Sequence, residues 1–164
     1  MSVPADPILI VDDDQASCRF MAEVLARAGY NVEWTVDDDA AVERVHRSHY
    51  ALVITDVTMP GVRGTELVAD LRRLRPGAPA LLVSGFADEA TRAEARRLGV
   101  PLLAKPFAPD LLLATARVLI ANSGGDDGAS VGVRREQDSS SGGWTGLPTH
   151  GGPASTIRKD AERG

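Results

Sequence analysis

A chain of 164 residues has room for one ordinary domain, and a hydrophobic share of 43% with 25% charged residues is that of a globular protein. The single cysteine, Cys18, excludes an internal disulfide framework, and the net charge of −5 weighs against a general nucleic-acid surface, which needs concentrated Lys and Arg. No basic stretch precedes the short apolar run Ile8–Val11, and no apolar segment approaches the ~18 residues of a membrane span, so we expect a cytoplasmic chain without signal peptide or membrane contact.

After a short extension at residues 1–6, Ile8–Val11 has the all-apolar pattern of a strand buried on both faces. Gln15–Ala28 carries Phe20, Val24 and Leu25 at helical spacing, and Gly29 stands where a helix end favours left-handed backbone. Cys18, inside this helix, reads as a small buried apolar residue rather than a reactive thiol. Asn31–Thr35 is a second strand, and Asp37–Asp39 supply N-caps for a helix to about Ser48. Ala51–Thr55 is a third strand and Thr65–Leu74 a third helix, ended by Arg75–Pro76–Gly77. Ala80–Val83 is a fourth strand, Asp88 caps a helix to Leu98 that Gly99 closes, and Leu102–Ala104 is a fifth strand. Pro109, tolerated in a first helical turn, opens a last helix to about Asn122.

The character of the sequence then changes. Ten of the sixteen glycines fall in the last 44 residues, among few aliphatic side chains. Such a segment buries too little surface to offset the entropy of ordering it, so residues 123–164 are expected to form a mostly disordered tail, in which Trp144 and Leu147 read as incidental rather than as a docking element. Five strands alternating with five helices over residues 7–122 imply βαβ crossovers and a parallel sheet with helices on both faces. In that α/β architecture ligands bind beyond the carboxyl ends of the strands, so the residues after each strand carry the functional information.

Those residues are Asp12, Asp13 and Asp14 after the first strand, and Asp56, Val57 and Thr58 after the third. Ser84 and Gly85 follow the fourth, and Lys105, Pro106 and Phe107 the fifth. Carboxylates gathered within a few Å repel unless a cation joins them. An all-oxygen set without His or Cys suits Mg²⁺. A carboxylate beside such an ion can act as a nucleophile toward phosphorus, and Lys105 with the Ser84 hydroxyl would complete a phosphoryl site.

The segments ILIVDDD, LVITDVTMPGVRG, LLVSG and AKPF, in this order at successive strand ends, resemble the signature segments of the receiver domains of two-component response regulators. The resemblance covers about residues 7–121 and implies a flavodoxin-like (βα)5 sheet in strand order 2-1-3-4-5. It implies that Asp56 is the phosphoacceptor, that Asp13 binds Mg²⁺ directly with Asp12 acting mostly through water, and that the Thr58 carbonyl completes the metal shell. It makes Ser84 and Lys105 the partners of the phosphoryl group and the Lys105–Pro106 bond cis. The implied partners are a sensor histidine kinase or histidine phosphotransfer protein, an unidentified downstream protein, and a second copy through the face of the fourth helix, fifth strand and fifth helix. Direct DNA binding is not expected. Such a protein is a switched signalling module that catalyses only its own phosphorylation and dephosphorylation.

The sequence departs from the family pattern at Leu102, where many receivers carry Tyr or Phe three residues before the lysine, so switching through an aromatic rotamer is not available. Phe86, two residues after Ser84, suggests a screened, long-lived phosphoryl group. Three readings compete. One is a receiver that has lost phosphorylation and serves as a plain interaction module. Another is a haloacid-dehalogenase-like phosphatase, suggested by Asp12-x-Asp14 but lacking a further acidic motif after Lys105. The last is a flavodoxin-like electron carrier, for which three negative charges stand where a phosphate loop would be needed. Asp14 reads as a helix start, Asp37–Asp39 as a capping run rather than a second metal cluster, and Arg92, Arg96 and Arg97 as a solvated helix face. His46 and His49 read as surface residues rather than a ligand pair.

Overall fold

The computed structural model describes residues 4–124 and 157–160. Its elements alternate as the patterning predicts: β1 (Ile8–Val11), α1 (Gln15–Arg27), β2 (Val32–Thr35), α2 (Asp38–Arg47), β3 (Leu52–Asp56) and α3 (Gly64–Leu74). There follow β4 (Ala80–Ser84), α4 (Glu89–Leu98), β5 (Leu102–Ala104), α5 (Pro109–Gly124) and, unforeseen, β6 (Ile157–Asp160). Every strand pairing is parallel, in the order β5-β4-β3-β1-β2-β6. The inner five strands therefore have the expected 2-1-3-4-5 order of the flavodoxin-like class, with β6 added outside β2.

The sheet is apolar on both faces because alternate side chains of each strand enter different cores. Ile8, Ile10, Val32, Trp34, Leu52, Ile54, Leu81 and Val83 join Cys18, Met21 and Leu25 of α1 and Leu112 and Ala116 of α5. Leu9, Val11, Val53, Ala80 and Leu82 join Ala41 and Val45 of α2, Leu67, Val68 and Leu71 of α3, and Ala95 of α4. A strand buried on both sides needs such uninterrupted aliphatic sequence, which is why β1, β3 and β4 read so clearly.

Local signals set the helix ends. Asp14 and Asp37 accept backbone N–H groups in the first turns of α1 and α2, and Asp88 accepts that of Thr91 at the start of α4. Gly29 and Gly99 take the positive φ values, 103° and 72°, that their places after α1 and α4 require.

One expectation is corrected. Phe20 is not part of the buried face of α1: it is 41% exposed and meets the ring of Phe107 at a centroid distance of 6.1 Å. The ring it meets belongs to the segment between β5 and α5 rather than to the core under the helix. α5 runs to Gly124, two residues past its expected end near Asn122, and the four residues of β6 lie within the segment expected to be mostly disordered. A composition-based reading counts buried side chains, whereas β6 is held by backbone pairing with β2, which does not depend on apolar content. The rest of that expectation, including Trp144 and Leu147, lies outside the described residues.

Cys18 is fully buried, and burial together with the nearby Asp12 charge pushes its thiol well above the ordinary range. We therefore expect no alkylation of Cys18 by iodoacetamide in the native protein and complete labelling once it is unfolded in urea, read by intact mass. Truncating Ile54, fully buried in β3, to Ala should cost about 2–5 kcal/mol in denaturant unfolding.

Candidate functional site

The carboxyl ends of β1, β3, β4 and β5 bring together Asp12, Asp13, Asp56, Ser84 and Lys105. Asp12 follows β1 and is fully buried; Asp56 ends β3 and is 7% exposed; Asp13 is exposed. One carboxylate oxygen from each of these three lies within 4.8 Å of the others. Opposite them, the Lys105 Nζ donates to Asp12 Oδ2 at 2.7 Å and to Asp56 Oδ2 at 3.2 Å, and reaches Ser17 Oγ at 3.4 Å. The Lys105–Pro106 bond is cis, as the resemblance implies.

Backbone donors complete the support of the two buried acids. The Asp14 N–H donates to Asp12 Oδ1 at 2.9 Å, and the Thr58 N–H to Asp56 Oδ1 at 3.1 Å. Burial raises the Asp12 carboxyl above its ordinary value, with the Asp56 charge adding to this, while the Lys105 and Asp14 hydrogen bonds oppose it. At Lys105 burial works against the charge, but the two carboxylates prevail and the ammonium is held more firmly than usual. Three carboxylates faced by one ammonium leave an excess of negative charge, and all the converging donors are oxygen. That chemistry fits a hard divalent cation such as Mg²⁺ and fits neither zinc nor copper.

Ser84 is buried at the end of β4, where its Oγ accepts from the Phe86 N–H at 3.0 Å and its carbonyl accepts from the Lys105 N–H at 2.8 Å. The strand pairing thus ties Ser84 directly to the lysine. Phe86 is 72% exposed. Leu102 is half-buried and packs with the α2–α4 core.

Other candidates resolve into structural roles. Asp14 caps α1 through the Ala16 N–H at 3.2 Å. In the Asp37–Asp39 run, which also brings three carboxylates together, Asp37 caps α2 and Asp38 Oδ2 accepts from the Val62 N–H at 2.7 Å, pinning the loop after Asp56. His46 bonds Asp70 of α3 at 2.8 Å instead of sharing a ligand with His49, while Arg96 pairs with Glu89 and Arg92 donates to the Ala87 carbonyl.

Sequence reasoning missed three contributors. Ser17 lies one turn into α1, three residues after Asp14, and that spacing is a usable signal for a side chain facing the β1 end. Gly64 opens α3 so close to β3 that a Cβ would run into the Asp56 carbonyl oxygen. Asp38 acts across 24 residues of sequence, which no local pattern reveals.

A doubly wound parallel sheet carrying an acidic triad and one lysine at its carboxyl edge defines a protein of the flavodoxin-like class with a cation- and phosphate-adapted pole. Residues 8–117 match the model of the response regulator receiver domain, and the chain belongs to that family. It is 30% identical over 131 residues to the transcriptional regulatory protein ZraR of Escherichia coli K12, covering 79% of this chain and 30% of that protein. It is 31% identical over 119 residues to TctD of Salmonella typhimurium, covering 72% of this chain and 53% of that protein. The chain thus spans about a third to a half of these relatives. Among solved structures, a CheY-like receiver domain protein of Methanospirillum hungatei superposes with a TM-score of 0.69 at 27% identity, over 73% of this chain and 97% of that one. CheY4 of Vibrio cholerae gives 0.65 at 28% identity, over 71% and 99%.

Two outcomes follow from this geometry. Gly64→Ala should destabilise the protein by roughly 1–3 kcal/mol in urea unfolding, because backbone and not a movable side chain blocks the added methyl group. The His46 hydrogen bond, helped by Arg73, holds the Asp70 carboxyl below its ordinary value of 3.8. A folded-state value below the unfolded one stabilises the protein above about pH 4, and that contribution disappears as pH falls through the folded-state value. Asp70→Asn should therefore lower stability at neutral pH, with the gap to wild type closing in acid, as followed by thermal unfolding across pH.

Proposed function

We propose that the protein is a phosphoacceptor receiver that takes a phosphoryl group onto Asp56 from a histidine kinase or a histidine phosphotransfer protein. The observation that carries this reading is the convergence of the Asp12, Asp13 and Asp56 carboxylates with Lys105 bridging Asp12 and Asp56. Asp12, Asp13 and Asp56, with the Thr58 carbonyl, would hold Mg²⁺. Bound there, the ion supplies positive charge to phosphoryl oxygens. An Asp56 carboxylate oxygen attacks phosphorus, the P–N bond of the phosphohistidine breaks, and its electron pair leaves with the imidazole. Lys105 neutralises an oxygen of the transferred group, and the Ser84 hydroxyl turns from the Phe86 N–H to donate a second hydrogen bond.

The reaction is the module's own phosphorylation and hydrolysis rather than turnover of a separate substrate. Its output is a change in a protein-interaction surface in the cytoplasm, without direct DNA contact by this chain. The face of α4, β5 and α5 suits pairing with a second copy, since Leu111 and Val118 on α5 are 49% and 57% exposed. The surviving set of acids, serine and lysine favours a working switch over a phosphorylation-independent module.

Wild type incubated with acetyl phosphate and Mg²⁺ should gain one phosphoryl group by intact mass. Asp56→Asn should gain none, as should wild type without Mg²⁺. If wild type gains none and also fails to bind beryllofluoride, the reading is wrong.

A further inference from the structure

Parallel sheets of this kind have two open edges, and unprotected edge strands invite pairing with other chains. Here β5 limits its edge by being only three residues long, while β2 is covered by β6. The register is Val32 with Ile157, Glu33 with Arg158, Trp34 with Lys159 and Thr35 with Asp160. Residues 125–156 separate α5 from β6 in the sequence, so β6 comes from far along the chain and also lies against α1.

The hydrogen bonds of β2 fix which backbone groups can receive a strand. The Asn31 and Thr35 carbonyls face β1, where they accept from the Ile8 and Asp12 N–H groups at 2.9 and 3.3 Å. Alternation then turns the N–H and C=O groups of Val32 and Trp34 outward, toward β6. On β6 the register makes Arg158 and Asp160 turn their backbone groups toward β2, while those of Ile157 and Lys159 turn away. The register sets Glu33, which holds Arg44 at 2.6 Å and Tyr50 at 3.0 Å, level with residue 158.

We propose that the outer edge of β2 is a strand-binding site and that Ile157–Asp160 is its tethered, displaceable ligand. Four residues make only a short ladder, so the segment stays bound chiefly because its covalent link keeps it near, at an effective concentration on the order of 1 mM. Any extended segment that competes must run parallel to β2 and turn alternate backbone groups toward those of Val32 and Trp34. The acceptor strand also touches the acidic pole, since the Thr35 carbonyl accepts from both the Asp12 N–H and the Cys18 thiol.

The test uses the full chain and hydrogen exchange of the Trp34 amide, followed by NMR. Wild type should protect this amide. Arg158→Pro removes a donor facing β2 and should abolish the protection, whereas Lys159→Pro, which removes a donor facing away, should leave it in place. Adding a free peptide with the sequence of residues 155–164 at about 1 mM should restore protection in Arg158→Pro. Equal exchange in wild type and Arg158→Pro, or loss of protection in both variants alike, would overturn the proposal. So would failure of the peptide to restore protection, or protection in wild type that appears only as the protein is concentrated, which would place the strand in a second copy.

Discussion

Like charges placed together at the end of a buried sheet must be held there against their own repulsion. Asp12 is fully buried and Asp56 nearly so, and each would destabilise the fold without compensation. The compensation comes from three directions: the Lys105 ammonium between them, backbone N–H groups at Asp14 and Thr58, and a geometry open to a cation on the side of exposed Asp13. Removing Lys105 would leave two buried carboxylates facing each other, so this one side chain supports the architecture as well as the chemistry.

The strands are rigid because they are buried on both faces, and that rigidity is transferred to the site through short connections. Asp12 and Asp56 sit on neighbouring strands whose register pairs Val11 with Thr55, the residues just before them. Ser84 and Lys105 are linked by a backbone hydrogen bond across β4 and β5. A functional group on such a lattice is positioned by many weak contacts at once, which explains why the site can tolerate exposed loops around it.

Most of the inner fold is legible because β1, β3, β4 and β5 carry aliphatic runs and each helix has an Asp, Pro or Gly at its ends. The bounds of β1, α4 and β5 agree with the pattern, and the other boundaries differ by a residue or two, as fraying ends do. The acids, Ser84 and Lys105 were legible because the topology gathers strand ends at one pole. What escaped were contacts without a local signature. Gly64 matters for a methyl group it lacks, Asp38 for a backbone N–H far along the chain, and β6 for a ladder that needs no hydrophobic sequence. Phe20 was misplaced because periodicity gives the direction of a side chain without saying what lies there.

The contact between Asp38 and the loop after Asp56 also constrains how this sequence can drift. A Cβ on Gly61 would occupy the space of the Asp38 carboxylate, the group that accepts the Val62 N–H. Any side chain at 61 therefore obliges the Asp38 carboxylate to move off its place beside Val62, and without that carboxylate the glycine is no longer required. The two positions form an epistatic pair: either can be lost first only at the expense of the loop's attachment, after which the other is free to vary. Descendants should keep both or neither, and those with neither must fasten the segment beside the nucleophile by some other means.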